Sequence, residues 1–434
     1  MRMIGLTNHQ SPFSMARITS ISTLIAALVI LSVIIIRPIQ GFVPRKVQSP
    51  RSDTGTHHLF QSVPPSPLNY IDNPIDNPID SQTGIIIPGK HKWLGGAVDS
   101  KGRIYGVPSN AEHVICLSPP NAADTDTDTD NDTNDTEQQN EMHTIPLPPS
   151  IAKGQFKWLR GIIWKDYLYG IPAWSQDGIL RVDIASFWKD KDNNSSSGIN
   201  SNSSINTTNH DTESLYATAI PLPEGALPNK NTDSINTNRW LWHGASLNKN
   251  QTAIYAIPSN AHHVLKLDLL TQTTSLLSIP YRQTPSDQTN KWYGGILGDD
   301  NAIYGVPYAA SGVLRIDAET DEVQLIGEEE FGVKEYNWHG GIKSGKNGRI
   351  YCFPAHHSHV LSIDTRLRSK EKDSDVDVQA DDSEISGMDR LELLPIHRAP
   401  YDEDKVTRYK WLGGSMGLDE NVYGMPSDAS SVLR

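Results

Sequence analysis

Hydrophobic and polar positions alternate along this chain in short runs rather than in long stripes. In Lys291 to Asp317, KWYGGILGDDNAIYGVPYAASGVLRID, an apolar run from Trp292 to Leu297 ends at the polar turn Gly298-Asp299-Asp300-Asn301. A second run, Ala302 to Val306, is stopped by Pro307. The small residues Ala309, Ala310, Ser311 and Gly312 then lead into a third, Val313 to Asp317. Runs of about five residues, β-branched and aromatic, bounded by Gly, Pro, Asn and Asp, predict strands. They are too short for helices.

The same pattern recurs six times. Its anchors are a Trp, a Gly two or three residues later, a Tyr, a Pro and an apolar pair. The copies begin at Trp93, Trp158, Trp242, Trp292, Trp338 and Trp411, with tyrosines at 105, 169, 255, 304, 351 and 423. Pro follows Tyr by three residues in every copy, and Tyr follows Trp by 11 to 13. Further apolar runs between the copies, His143 to Leu147, Tyr216 to Leu222, Ser275 to Pro280, Glu322 to Ile326 and Leu391 to Ile396, supply a fourth strand. Four strands at a period of about 46 residues (Trp292 to Trp338) is the signature of propeller blades. The expected fold is all-β, a six-bladed β-propeller over 84–434. The sixth copy lacks a fourth strand, and Gly84 to Pro88 (GIIIP) would close it from the other end. The alternative is a seven-bladed ring whose last blade is missing from a truncated chain.

Three insertions interrupt the pattern, at 119–142, 187–214 and 367–389. They are Asp/Thr/Asn-rich, Asn/Ser-rich and acidic, compositions that cannot bury enough apolar surface to fold. The first holds eight acids and no base, the third eight acids and three bases. Together they carry the whole net charge of −13 and leave the remainder neutral. The propeller body therefore lacks the basic surface of a nucleic-acid binder. Hydrophobic residues make up only 37% because the insertions dilute the repeats. Cys116 and Cys352, one in each of two predicted strands, read as small buried apolar residues rather than a disulfide or redox pair.

Strand alternation sorts the loops onto two faces. All three insertions fall on one, with the seven N-x-S/T sequons at Asn131, Asn134, Asn193, Asn194, Asn202, Asn206 and Asn250, candidates for glycosylation in a secreted chain. The opposite face is uncluttered and is the expected ligand-binding face for a protein, a glycan or a small ligand. Trp, Tyr and Pro repeat in every copy and Gly pairs in four of the six; they read as architecture, so function is sought in what varies. His243 and His339 follow the repeat Trp in copies three and five. His262, His263, His356, His357 and His359 sit in the next loops of those copies, with His113 in copy one and Trp174 in copy two. Imidazoles at a channel mouth suit a transition metal, but no spacing here is as tight as a zinc-binding HExxH motif.

Before the repeats, residues 1–17 form a polar tail and 18–36 (ITSISTLIAALVILSVIII) carry no charge. Nineteen helical residues span about 28 Å, enough for the hydrocarbon core of a bilayer. The reading is an uncleaved transmembrane signal anchor, single-pass, in the secretory pathway or at the cell surface, followed by a flexible tether at 37–83. Basic residues flank both ends of the span, so orientation stays open. A cleaved, secreted form and a plastid presequence, suggested by Gly41-Phe42-Val43-Pro44, are the alternatives.

The tandem W-x-G-G…IYG-x-P…VL-x-ID unit resembles uncharacterised KWxGG/IYGxP propeller repeats over residues 84–434. More distantly it resembles NHL, YVTN and gluconolactonase-like propellers. The lactonase resemblance implies one axial divalent metal (Zn or Ca) held by Glu, Asn and Asp, and a metal-dependent hydrolase activity. No unique Glu/Asn/Asp set maps onto this chain, so no catalytic residue is carried over. Two expectations result: a membrane-anchored binding scaffold without cofactor and, as the alternative, the metal-dependent hydrolase.

Overall fold

The strand-and-turn pattern folds as read, in a computed structural model that describes residues 90–118, 141–196, 216–227, 239–281, 289–328, 331, 336–366, 390–397 and 408–434. The fourth copy forms an antiparallel sheet of Trp292–Leu297, Ala302–Pro307, Val313–Asp317 and Val323–Ile326 in chain order. Copies one, two, three and five are also four-stranded. Their outermost strands are Glu141–Pro146, Ala217–Ile220, Thr273–Ser278 and Leu391–Pro395. The sixth contributes Trp411–Met416 and Val422–Pro426, with Leu433 bridged to Gly424. The first strands of successive copies pack side by side in chain order, from Trp93–Val98 to Trp411–Met416. The chain is a β-propeller built on a tandem repeat.

Apolar clusters fill the spaces between neighbouring sheets. One gathers Tyr105, Val107, Trp158, Leu168 and Leu180 between copies one and two, and another Tyr304, Val306, Trp338, Ile350 and Leu361 between copies four and five. Each repeat Trp is pinned at its polar end as well. Its Nε1 donates to a carbonyl at the start of the third strand: His113, Gly178, His263, Gly312, His359 and Ser431, all at 2.8 to 3.0 Å. An indole buried with its N–H satisfied is a packing element. The architectural reading of the tryptophans holds, and Cys116 and Cys352 are both buried and unpaired.

Backbone bonds stitch the copies together. The amide before the repeat Trp donates to the carbonyl just after the preceding copy's Pro: Lys157 to Ser109, Leu241 to Ala173, Lys291 to Ser259, Asn337 to Tyr308 and Lys410 to Ala355, at 2.6 to 3.1 Å. Three buried lysines reinforce this seam. Lys157 Nζ donates to Ala111 O at 2.8 Å, Lys291 Nζ to Ser259 O at 2.8 Å, and Lys410 Nζ to His356 O and His357 O at 3.1 and 3.0 Å. Burial pushes Lys157 down to about 8 and Lys291 to about 7.

One segment departs from the sequence reading. The insertion expected to lack structure from residue 187 begins inside a helix, Ile184–Ser196. Asp183 caps it, accepting from the Ser186 amide at 2.9 Å. Phe187 is buried against the core, and Trp188 Nε1 donates to the Tyr105 hydroxyl at 2.8 Å, with the Arg103 guanidinium 4.5 Å above its ring. Two adjacent aromatics outweigh the polar run that follows them. Asn193 sits exposed on this helix, and Asn250 is exposed in a strand-one-to-two turn. The sequons at Asn131, Asn134, Asn202 and Asn206, the closing strand at 84–88, the tether and the span at 18–36 lie outside the described residues. Among the described residues no helix is long and apolar enough to cross a membrane.

Candidate functional site at the propeller axis

Register fixes which residues share a face. Trp93 pairs with Pro108, and His113 with Pro146, at one end of the first sheet; Val98 pairs with Ile104, and Ser118 with Glu141, at the other. The Trp approaches and the post-Pro loops therefore occupy one face, and the flanks of the insertions the opposite one. On the first of these faces every inner strand is bulged: pairing slips just past the repeat Trp in all six copies. The residue two after the Trp adopts a left-handed conformation at each bulge. It is glycine at 95, 244, 294, 340 and 413, with φ between 72° and 111°, as such a bulge favours. In the second copy it is Arg160, with φ 64°.

Arg160 thus stands on the inner ring where all other copies carry hydrogen. A Cβ built on Gly244 would lie 3.5 Å from Arg160 Cδ, and one on Gly95 only 2.8 Å from Arg160 Cα, so the neighbouring glycines make room for it. Its Nε is buried without a partner. No hydrogen bond or ion pair to its guanidinium forms among the described residues, and burial alone lowers its pKa, with no carboxylate opposing. A left-handed non-glycine residue costs about 1 to 2 kcal/mol, and partial desolvation of a cation without a partner adds to that.

The residues just after the repeat Trp form the next ring: Leu94, Leu159, His243, Tyr293, His339 and Leu412. From it an aromatic ladder runs round copies three to five. His243 stacks on Tyr293 at 3.8 Å, Tyr293 on Tyr308 at 4.2 Å, and Tyr308 on Tyr336 at 4.6 Å, with planes 8 to 14° apart. His339 stands edge-on to Tyr293 at 4.9 Å, and His356 to Tyr409 at 4.6 Å. Across the ring, Phe156 lies 4.5 Å from Trp174 and 5.2 Å from Trp240, with Arg239 4.6 Å over the Trp174 ring. Tyr308 is buried, whereas Tyr293, Tyr336, Tyr409, Phe156, Trp174 and Trp240 keep part of their surface open.

The sequence-derived candidates divide accordingly. His243, His339, His356 and Trp174 belong to this face. His243 Nδ1, His339 Nε2, His356 Nε2 and Trp174 Nε1 are buried there without partners. Burial, then the charge of Arg160, holds His243 well below its usual range and His339 down to about 3; burial and then Arg408 and Lys410 bring His356 to about 4. All three are neutral near pH 7. His113, His263 and His359 lie at the same end of their sheets, but they open the third strand and give their carbonyls to the repeat Trp. His357 packs 4.4 Å from the Trp338 ring, and His262 neighbours His263. Among the described residues no group of three or more His, Cys, Asp or Glu is placed to hold a metal ion. Sequence reasoning missed Arg160 and the tyrosine ladder. The signal for Arg160 was WLRG where other copies read WLGG, WYGG, WHGG or WHGA, each with Gly two after the Trp.

A separate groove of about 840 Å³ runs between the fifth and sixth sheets, lined by Phe353, Leu394, Trp411, Val422 and Leu433. It lies where the sixth sheet has two strands among the described residues, and none of its lining residues has a buried unpartnered polar atom.

No family model matches the chain, and no curated protein matches it in sequence. Solved structures do resemble it, and they are propeller-type. A virginiamycin B lyase from Staphylococcus aureus, crystallised with quinupristin, is 11% identical, with 78% of this chain and 86% of that one covered at a TM-score of 0.43. A 6-phosphogluconolactonase-like protein from Bacteroides uniformis is 9% identical, with 82% and 88% covered at 0.41. An auxiliary nutrient binding protein from Bacteroides thetaiotaomicron is 12% identical, with 76% and 66% covered at 0.37. Likeness at this level bears on nothing beyond the architecture.

Proposed function

We propose that this protein is a non-catalytic binding propeller that seats a small, ring-bearing polar ligand, free or as the end of a glycan, on the aromatic face around its axis. The observation that carries this reading is the ladder of His243, Tyr293, Tyr308 and Tyr336, partly open and bordered by unpartnered polar atoms. Flat aromatic surfaces with a few polar groups aimed between them are how pockets hold ring-shaped ligands. The ladder belongs to copies three to five, so the face is asymmetric although the scaffold repeats. The same proposal includes a ring of six blades closed by 84–88. It also includes anchoring through 18–36 in the secretory pathway or at the cell surface, with the sequons on the far side and the binding face clear of them.

Screening the full chain on a glycan array, followed by calorimetry on the strongest free oligosaccharide, tests the assignment. Tyr336→Ala and Tyr409→Ala remove half-open rings and leave the buried core in place; each is expected to weaken binding by about tenfold, a typical cost for a stacking contact. Undiminished binding in both variants, or no bound sugar at all, would sink it.

A further inference from the structure

Arg160 breaks the repeat at a left-handed bulge position that is glycine in the other five copies. Its backbone is left-handed, its Nε is buried and unpartnered, and no carboxylate among the described residues balances its charge. Five copies show that the fold needs no side chain there. Beside it, His243 Nδ1 and His339 Nε2 are also buried without partners, on rings whose centroids are 6.1 Å apart. The Nη nitrogens of Arg160 have no partner among the described residues and are not buried, so they keep access to water. Orphaned buried polar groups normally find partners.

We propose that Arg160 anchors an anionic group, a carboxylate or a phosphate, of the ligand that occupies the axial face. His243 Nδ1 and His339 Nε2 add hydrogen bonds in the tautomers that place a proton on those atoms. The assignment rests on the binding-propeller reading and sharpens it: the ligand is an acid, such as a sugar acid or a sugar phosphate, whose anion points down the axis while its ring lies on the tyrosine ladder. A guanidinium is suited to this because its planar fork matches both carboxylate and phosphate oxygens. Its weak hydration makes it the less costly cation to keep waiting in a confined site.

Equilibrium dialysis of the full chain against radiolabelled inorganic phosphate, glucuronate and the uncharged methyl glucoside tests it. Wild type is expected to hold one anion per chain and to bind methyl glucoside at least tenfold more weakly. Arg160→Gly, which restores the residue of the other five copies, is expected to weaken anion binding tenfold or more; Arg160→Lys recovers part of it, and Arg160→Gln, which keeps the bulk, does not. Phosphate binding alone assigns a phosphate ligand, and glucuronate alone a carboxylate. Neither anion binding, or Arg160→Gly binding as wild type does, overturns the proposal. Tyr336→Ala separates the two readings. If it leaves glucuronate binding intact while Arg160→Gly abolishes it, the anchor stands and the aromatic platform falls. If sugars bind through Tyr336 with no dependence on charge or on Arg160, the reverse holds.

Discussion

His243 and Tyr293 lie face to face across the boundary between the third and fourth copies, ring centroids 3.8 Å apart and planes 11° from parallel. The imidazole is buried, its Nδ1 is unpartnered, and burial and then the charge of Arg160 keep it neutral. His339, edge-on to the same tyrosine, is held down to about 3. The unfolded chain protonates both near pH 6.5, so between that value and about 3 it binds more protons than the folded chain. Stability therefore falls as pH drops through that window. The double variant His243→Leu/His339→Leu adopts the residue of copies one, two and six. It is expected to flatten the loss between pH 6.5 and 4 relative to wild type in urea titrations; equal slopes would contradict neutral burial.

Arg160→Gly has a consequence for stability apart from any ligand. It removes left-handed strain and a desolvated charge, at the cost of extra freedom in the unfolded chain. The net expectation is a gain of about 1 kcal/mol in ligand-free protein, checked by denaturant midpoint. A loss would mean that Arg160 supports the inner ring mechanically.

Architecture was legible because it repeats. Trp, Tyr and Pro recur at fixed spacing since each packs in an equivalent environment, and strand limits in the fourth copy are read to within one residue. The site was less legible because it consists of departures from the repeat. His113, His263 and His359 drew attention by residue type, yet they open third strands as neighbours of the repeat Trp. Tyr293, Tyr308 and Tyr336 occupy three different repeat positions and meet only when consecutive sheets close on each other. The helix at Ile184–Ser196 escaped because Phe187 and Trp188 are two residues in a polar stretch, and their value depends on a groove that sequence does not display.

Trp292 tests the shared anchor. It is buried, and its Nε1 donates to Gly312 O at 2.8 Å. Trp292→Phe keeps an aromatic ring but strands that carbonyl and leaves part of the indole volume empty. A loss of about 2 to 4 kcal/mol is expected by chemical denaturation, from the unmet bond together with the cavity. A loss below about 0.5 kcal/mol, the range of a surface substitution, would show that the indole N–H contributes nothing to closing the blade.

Lys291 gives a pH dependence of opposite sign to a stabilising ion pair. Its Nζ is buried against Ser259 O at 2.8 Å, and burial lowers its pKa to about 7 from an ordinary value of 10.5. Between those two values the unfolded chain holds the proton and the folded chain releases it. The stability contribution therefore rises with pH across the window, and below about 7 the burial cost is fully present. Lys291→Met keeps the unbranched stem and removes the charge, leaving the Ser259 carbonyl bonded to the Lys291 position's own amide, which donates to it at 3.1 Å. The variant is expected to match or exceed wild type at pH 7 and to show a smaller upward slope than wild type between pH 7 and 9.5, with Lys157, lowered to about 8, keeping its own share; this window lies below the range where the buried tyrosines ionise in the unfolded chain. If wild type shows no slope there that Lys291→Met removes, the seam lysine is charged in the folded state and its ammonium is what holds the copies together.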